Sequence, residues 1–151
     1  MILEHVGLAV SDLDRSIAFY KDVLGFQVLR KTDSSAYLNL GTDLLELNQG
    51  TGPTSPPASK ASEAWLREMC GSPGLRHLGF RVDDLEKIVE RLRENCVEMI
   101  VPTRDFKPNI EHAESPTEEK LRRASRPQGS DSWRIVMFSD PDGIILEFIE
   151  R

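Results

Sequence analysis

The chain carries His5-Val6-Gly7-Leu8-Ala9-Val10-Ser11-Asp12-Leu13 near its start and His77-Leu78-Gly79-Phe80-Arg81-Val82-Asp83-Asp84-Leu85 near its middle. The two stretches agree at the first, third, sixth, eighth and ninth places, and they lie 72 positions apart in a chain of 151 residues. A repeat spaced at half the chain is a duplicated module; solenoid repeats recur about every 20–50 residues. Each copy is followed by a Glu in an apolar frame, Leu44-Leu45-Glu46-Leu47 and Ile145-Leu146-Glu147-Phe148. The duplication therefore supplies two imidazoles, His5 and His77, and two strand-borne carboxylates, Glu46 and Glu147.

Composition narrows the class. Hydrophobic residues make up 39% and charged residues 29%, a globular rather than a disordered balance. A net charge of −6 without a compensating basic stripe argues against nucleic acid as a partner. No apolar run approaches the roughly 18–20 residues of a membrane helix, and a strand-like pattern begins at once, so no membrane association and a cytoplasmic location are expected. Cys70 and Cys96 lack metal-site spacing and read as reduced, structural thiols.

Periodicity gives the order of elements. Ile2 to Val10 alternates, with Val6, Leu8 and Val10 on one face and His5, Gly7 and Ala9 on the other. A strand face stripped of bulk beside a histidine leaves room for a pocket. Ser11 with Asp14 resembles a capping pair for a helix whose face is Leu13, Ile17, Tyr20 and Leu24, ended by Gly25. Strands follow at 26–31, 36–40 and 44–48, so the first module, residues 1–48, reads β-α-β-β-β. Residues 49–74 form a linker rich in Gly, Pro, Ser and Thr, with a short helix around 63–69. The second module, 75–151, repeats the design. It has a strand at 75–82, a helix capped by Asp83 and Glu86 with the stripe Leu85, Ile88, Val89 and Leu92, and strands near 97–101, 134–138 and 144–149. Asp140-Pro141-Asp142-Gly143 makes a strong turn before the last strand. The expected class is α+β, two βαβββ modules whose curved mixed sheets surround a metal cleft. From His5 to Glu46 is 41 positions and from His77 to Glu147 is 70, which places an insertion in the second copy between about Thr103 and Trp133. His112 lies within it without partners.

Two imidazoles and two carboxylates suit one borderline divalent ion: zinc, nickel, cobalt, iron or manganese. Such an ion polarises a carbonyl, and a ligating Glu that can detach would move the proton from the neighbouring carbon. A lone histidine on a strand is most often structural; four matching residues in two copies point to a shared site. By alternation Arg81 shares a face with His77. It is a candidate for an anionic substrate group, with an arginine snorkelling from the sheet edge as the ordinary alternative.

The chain resembles the vicinal oxygen chelate superfamily, which includes glyoxalase I, methylmalonyl-CoA epimerase, fosfomycin-resistance and bleomycin-resistance proteins and extradiol dioxygenases. The resemblance rests on His5-x-Gly7, Phe19-Tyr20-Lys21-Asp22-Val23-Leu24-Gly25-Phe26, His77-x-Gly79-Phe80-x-Val82-Asp83-Asp84, and Asp140-Pro141-Asp142-Gly143 leading to Glu147. It covers nearly the whole chain except the insertion. A Glu at position 46 is more similar to bacterial glyoxalase I than to the members with one Glu. That resemblance implies His5, Glu46, His77 and Glu147 as ligands, a ligand Glu as base, and a thiohemiacetal isomerised to lactoylglutathione. Residues 74–84 with Trp65-Leu66 also resemble methylmalonyl-CoA epimerases, which implies an acyl-CoA as the alternative substrate. A binding module without catalysis, as in bleomycin resistance, is a third possibility that an intact tetrad disfavours. A small-molecule substrate and a homodimer are the expected partners.

The insertion is the one stretch long enough to cover the cleft, and Arg104, Lys107, Arg122, Arg123 and Arg126 could meet an anionic tail. Replacing Asp105–Gly129 by a short Gly-Ser bridge is expected to raise KM while metal binding stays intact. A shortened protein as effective as the parent on its best substrate would assign the insertion another role.

Overall fold

The computed structural model describes residues 3–52, 73–75, 77–106 and 133–150. Strand β1 (Val6–Val10) leads into α1 (Leu13–Ala18), which widens into a π-helical turn over Phe19–Val23. Strands β2 (Gln27–Lys31), β3 (Ser35–Leu40) and β4 (Asp43–Gln49) complete the first sheet, in the order β1-β4-β3-β2. Strand β5 (Leu78–Val82), helix α2 (Leu85–Glu94), β6 (Met99–Phe106), β7 (Trp133–Ser139) and β8 (Ile145–Glu150) repeat the plan, in the order β5-β8-β7-β6. Both four-stranded sheets are mixed: β1/β4 and β5/β8 run parallel and the remaining pairs antiparallel. The fold is α+β, as the sequence pattern indicates.

Local chemistry sets the boundaries. Asp12, not Ser11, caps α1, its carboxylate accepting from Arg15 N at 3.0 Å. Likewise Asp84, not Asp83, caps α2 by accepting from Lys87 N at 3.0 Å. In both helices the capping oxygen must reach the backbone N–H three residues on, and the helix start at Leu13 or Leu85 fixes which Asp can do so. Gly25, at φ 85°, ends the first helical segment, and its N–H donates to Lys21 O. The first strand is shorter than its alternation suggests, starting at Val6, and β6 runs on to Phe106 rather than stopping near Val101. A deletion within the insertion that spares the sheet therefore starts after Phe106. Cys96 is a free thiol and exposed, at φ 55° just past α2, so it is not a packed structural residue. The expected helix at 63–69, Cys70, His112 and residues 107–132 of the insertion lie outside the described residues. Among the described residues no helix is long and apolar enough to cross a membrane.

One core joins the two halves. Leu8, Val10, Leu38 and Leu47 from the first sheet belong to the same buried cluster as Leu85, Leu92, Phe138 and Leu146. Ring contacts at 5.1–5.9 Å run from Tyr20 through Phe26, Phe80 and Phe148 to Phe138, crossing from one module to the other. A polar latch lies beside this chain of rings. Asp140, 1% exposed, accepts from Asp142 N, Ile144 N and the Tyr20 hydroxyl at 2.8–3.0 Å. Asp142 accepts from Ser11 Oγ, from Arg15 Nη2 at 2.9 Å and from Ser16 Oγ at 3.2 Å. Burial, and then the Asp140 charge, hold the Tyr20 phenol protonated well above its usual range.

Tyr20→Phe keeps the ring contacts and removes one donor from a buried carboxylate. It is expected to lower unfolding free energy by about 1.5–3 kcal/mol, the range for a hydrogen bond to a charged group. Urea denaturation of parent and variant checks this; an unchanged midpoint would mean that the backbone donors alone satisfy Asp140.

Candidate metal centre

The parallel strand pairs place the four sequence-identified residues. His5 and His77 each stand one residue before their strand, and register pairs Gly7 with Glu46 and Gly79 with Glu147. Each glycine then removes a side chain from beneath the carboxylate. A Cβ on Gly7 would lie 3.4 Å from Glu46 Oε2, and one on Gly79 3.5 Å from Glu147 Oε2. In that space the histidine of the same module faces the same oxygen: His5 Nε2 lies 3.4 Å from Glu46 Oε2, and His77 Nε2 3.3 Å from Glu147 Oε2. The imidazole side chains are 39% and 38% exposed and the carboxylates 21% and 13%, so each carboxylate is more sheltered than the imidazole that faces it.

The structure thus forms two equivalent half-sites. His5 and His77 also line one cleft of about 310 Å³, with Leu3, Glu4, Asp43 and Phe80 among its walls. Each imidazole is nonetheless turned onto its own carboxylate, and among the described residues no group of three or more His, Cys, Asp or Glu is arranged to hold a metal. The donor chemistry, two imidazole nitrogens and two carboxylates above glycine-cleared space, fits a borderline divalent ion. Arg81 is exposed on β5, on the strand face of Gly79.

Electrostatics separates the half-sites. The Tyr37 hydroxyl donates to Glu46 Oε1 at 2.7 Å. That bond is the main cause holding the Glu46 carboxyl below the usual carboxylate range, and it raises the Tyr37 phenol above its own. In the second module the hydrogen bond to Glu147 raises the His77 imidazole above its ordinary value. Sequence reasoning did not single out Tyr37, Glu4 or Asp43. Tyr37 was within reach of it, because a two-residue turn between β3 and β4 fixes the register that sets it opposite Glu46.

Comparisons with known proteins identify the family of this fold. The sequence profile of the Glyoxalase/Bleomycin resistance protein/Dioxygenase superfamily matches residues 2–148. The lactoylglutathione lyase of Haemophilus influenzae is 27% identical over 151 residues, covering 100% of this chain and 93% of its own. The metallothiol transferase FosB of Staphylococcus epidermidis is 26% identical over 147 residues, covering 96% of this chain and 78% of its own. A glyoxalase family protein from Enterococcus faecalis superposes with a TM-score of 0.64 at 26% identity, over 99% of this chain and 97% of that one. The chain belongs to this superfamily. Its relatives include a lyase and a transferase, so membership fixes the scaffold and the site must supply the reaction.

Imidazole binds a metal only in its neutral form, and the Glu147 hydrogen bond favours the protonated form of His77, so acid would compete with any ion bound at this ring. In metal-free protein, the His77 ring resonances are expected to titrate with a midpoint above 6.5, and Glu147→Gln is expected to lower that midpoint. A midpoint indifferent to Glu147→Gln would break the pairing.

Proposed function

We propose that the two half-sites together hold one divalent ion through His5, Glu46, His77 and Glu147, and that the chain is a metal-dependent isomerase of lactoylglutathione lyase type. The observation that carries this reading is the duplicated imidazole over a sheltered carboxylate, each above a glycine that leaves the space open. Zinc, nickel, cobalt, iron and manganese all accept this donor set. When bound, the ion supplies Lewis acidity to a carbonyl of the substrate. The remaining work falls to the protein. Glu46 and Glu147 are the carboxylates beside the proposed centre, and one of them takes the proton from the carbon next to that carbonyl and returns it to the neighbouring carbon. Hydrogen moves from one carbon to the next with no oxidant or reductant, which is an isomerisation of a thiohemiacetal to a thioester. The same transfer, with the proton returned to its original carbon on the opposite face, would epimerise an acyl-CoA, the alternative substrate class.

A homodimer is part of this reading. Both β1 and β5 are outermost in their sheets, without a strand partner on the outer edge among the described strands. Leu3 and Leu75, each two residues before a histidine, are 81% and 72% exposed. Unpaired edges flanked by apolar side chains are liabilities that a second copy would cover.

Metal analysis of purified protein, followed by thiohemiacetal and acyl-CoA substrates offered to the reloaded enzyme in deuterated water, tests the proposal. One divalent ion per tetrad is expected, with affinity lost in His5→Ala and His77→Ala. Replacing the Glu that serves as base by Gln is expected to cost about 10²–10⁴-fold in turnover and to abolish solvent exchange. Thiol transfer without isomerisation would assign the protein to the transferase branch instead, and full metal affinity in both histidine variants would remove the centre.

A further inference from the structure

Duplication makes the two half-sites equal in their His, Gly and Glu, but the third strand of each sheet breaks the equality. In the first module, register sets Tyr37 of β3 opposite Glu46; in the second it sets Met137 of β7 opposite Glu147. Tyr37 Oη donates to Glu46 Oε1 at 2.7 Å while His5 faces the other oxygen, Oε2. The same phenol ring meets the imidazole of His5 edge-on, with centroids 6.1 Å apart. One side chain therefore touches both members of its half-site. A methionine can neither donate to a carboxylate nor offer a ring to the histidine beside it.

The neighbours extend the contrast. By alternation Tyr37 shares its face with Ser35 and Asn39, and Glu46 shares its face with Asn48. Two of the four matching places differ in kind: Ile135 stands where the first module has Ser35 and Ile149 where it has Asn48, while Ser139 matches Asn39 and Ile145 matches Leu44. Met137 and Ile145 are buried together with Val101. The wall beside Glu147 is thus the more apolar of the two.

We propose that Tyr37 is a positioning residue for the centre: its hydroxyl commits Glu46 Oε1 to the protein and its ring backs His5, so the first half-site is preset and the second is not. This rests on the metal-binding reading above. With Oε1 held, Glu46 has Oε2 to offer an incoming ion, on the side His5 already faces. The preset pair captures the ion, and the His77–Glu147 pair, without such a partner among the described residues, keeps the freedom to rearrange around substrate. Partners that orient ligands in this way typically carry 10–100-fold in metal affinity.

The test is a double-mutant cycle on zinc affinity, read by competition with a chromogenic chelator, with Tyr37→Phe and Glu46→Gln made singly and together. Tyr37→Phe keeps the ring against His5 and removes only the donor. It is expected to weaken zinc binding by about 10–100-fold in the parent background and to have almost no further effect once Glu46 is Gln. The visible spectrum of the cobalt-loaded protein should change with Tyr37→Phe, and the metal-free variant should remain cooperatively folded with the parent's circular dichroism at the assay temperature, which separates ligand positioning from folding. Zinc binding by the parent with Tyr37→Phe unchanged, or an equal loss in both backgrounds, overturns the tether alone. A parent that takes up no divalent ion overturns the metal-binding reading and the tether with it.

Discussion

Parallel pairing between the first and last strands of each module is the constraint from which the rest follows. A parallel pair cannot be closed by a tight turn, so the chain must leave β1, cross over through α1, build β2 and β3, and return as β4. The return brings together residues far apart in sequence, and the register is specific: Gly7 meets Glu46 in one module and Gly79 meets Glu147 in the other. Two residues before each glycine, on the same strand face, stands the histidine. His-x-Gly is thus a donor and a cleared space, and the partner strand supplies the carboxylate that fills the space. The insertion leaves this geometry intact in the second module because it enters between β6 and β7, away from the parallel pair.

The same economy joins the modules. The turn that feeds β8, and hence Glu147, is the turn that holds Asp140 and Asp142 against the first module's helix. Buried carboxylates are costly unless their oxygens are satisfied, and here the donors come from both sides. Backbone N–H groups of the turn serve Asp140, while Tyr20, Ser11, Arg15 and Ser16 reach across from the other half. Pulling the modules apart would strand two buried carboxylates and expose the ring contacts from Tyr20 to Phe138, so the strand bearing Glu147 is positioned by the partner module as well as by its own sheet.

Much of this was legible in the residues. The duplicated His-x-Gly motif and the two framed glutamates carried the repeated element order and marked the four side chains that the strands bring into two His–Glu pairs, because parallel pairing converts a repeated pattern into a repeated geometry; the strand order within each sheet was not among what they carried. Tyr37 was readable too. Leu40 and Asp43 flank the turn of a two-residue hairpin in which Gly41 supplies a positive φ of 62°, and counting back three on each side sets Tyr37 against Glu46. The latch was not readable, since the pairing of Tyr20 with Asp140 depends on how the two halves pack and no periodicity carries that. Capping misled by one residue in both helices, where Ser11-Asp12 and Asp83-Asp84 each offer two side chains able to cap and only the helix start selects between them.

Duplicated modules are free to diverge only where the repeated geometry does not need them equal. His, Gly and Glu are bound by mutual contact: moving any one of them leaves a carboxylate without its imidazole or presses a Cβ against an oxygen. The residue opposite the carboxylate on the third strand has a looser requirement, since both a phenol and a thioether pack on a pleated sheet beside apolar neighbours. Divergence is found there, with tyrosine opposite the carboxylate in one module and methionine, packed with Ile145, in the other. A half-site whose carboxylate is held by a phenol and a half-site whose carboxylate is lined by hydrocarbon differ in how tightly they are fixed and in what they tolerate beside them. From two copies of one design the chain thereby obtains two His–Glu pairs that are alike in their donors and different in what stands opposite the carboxylate.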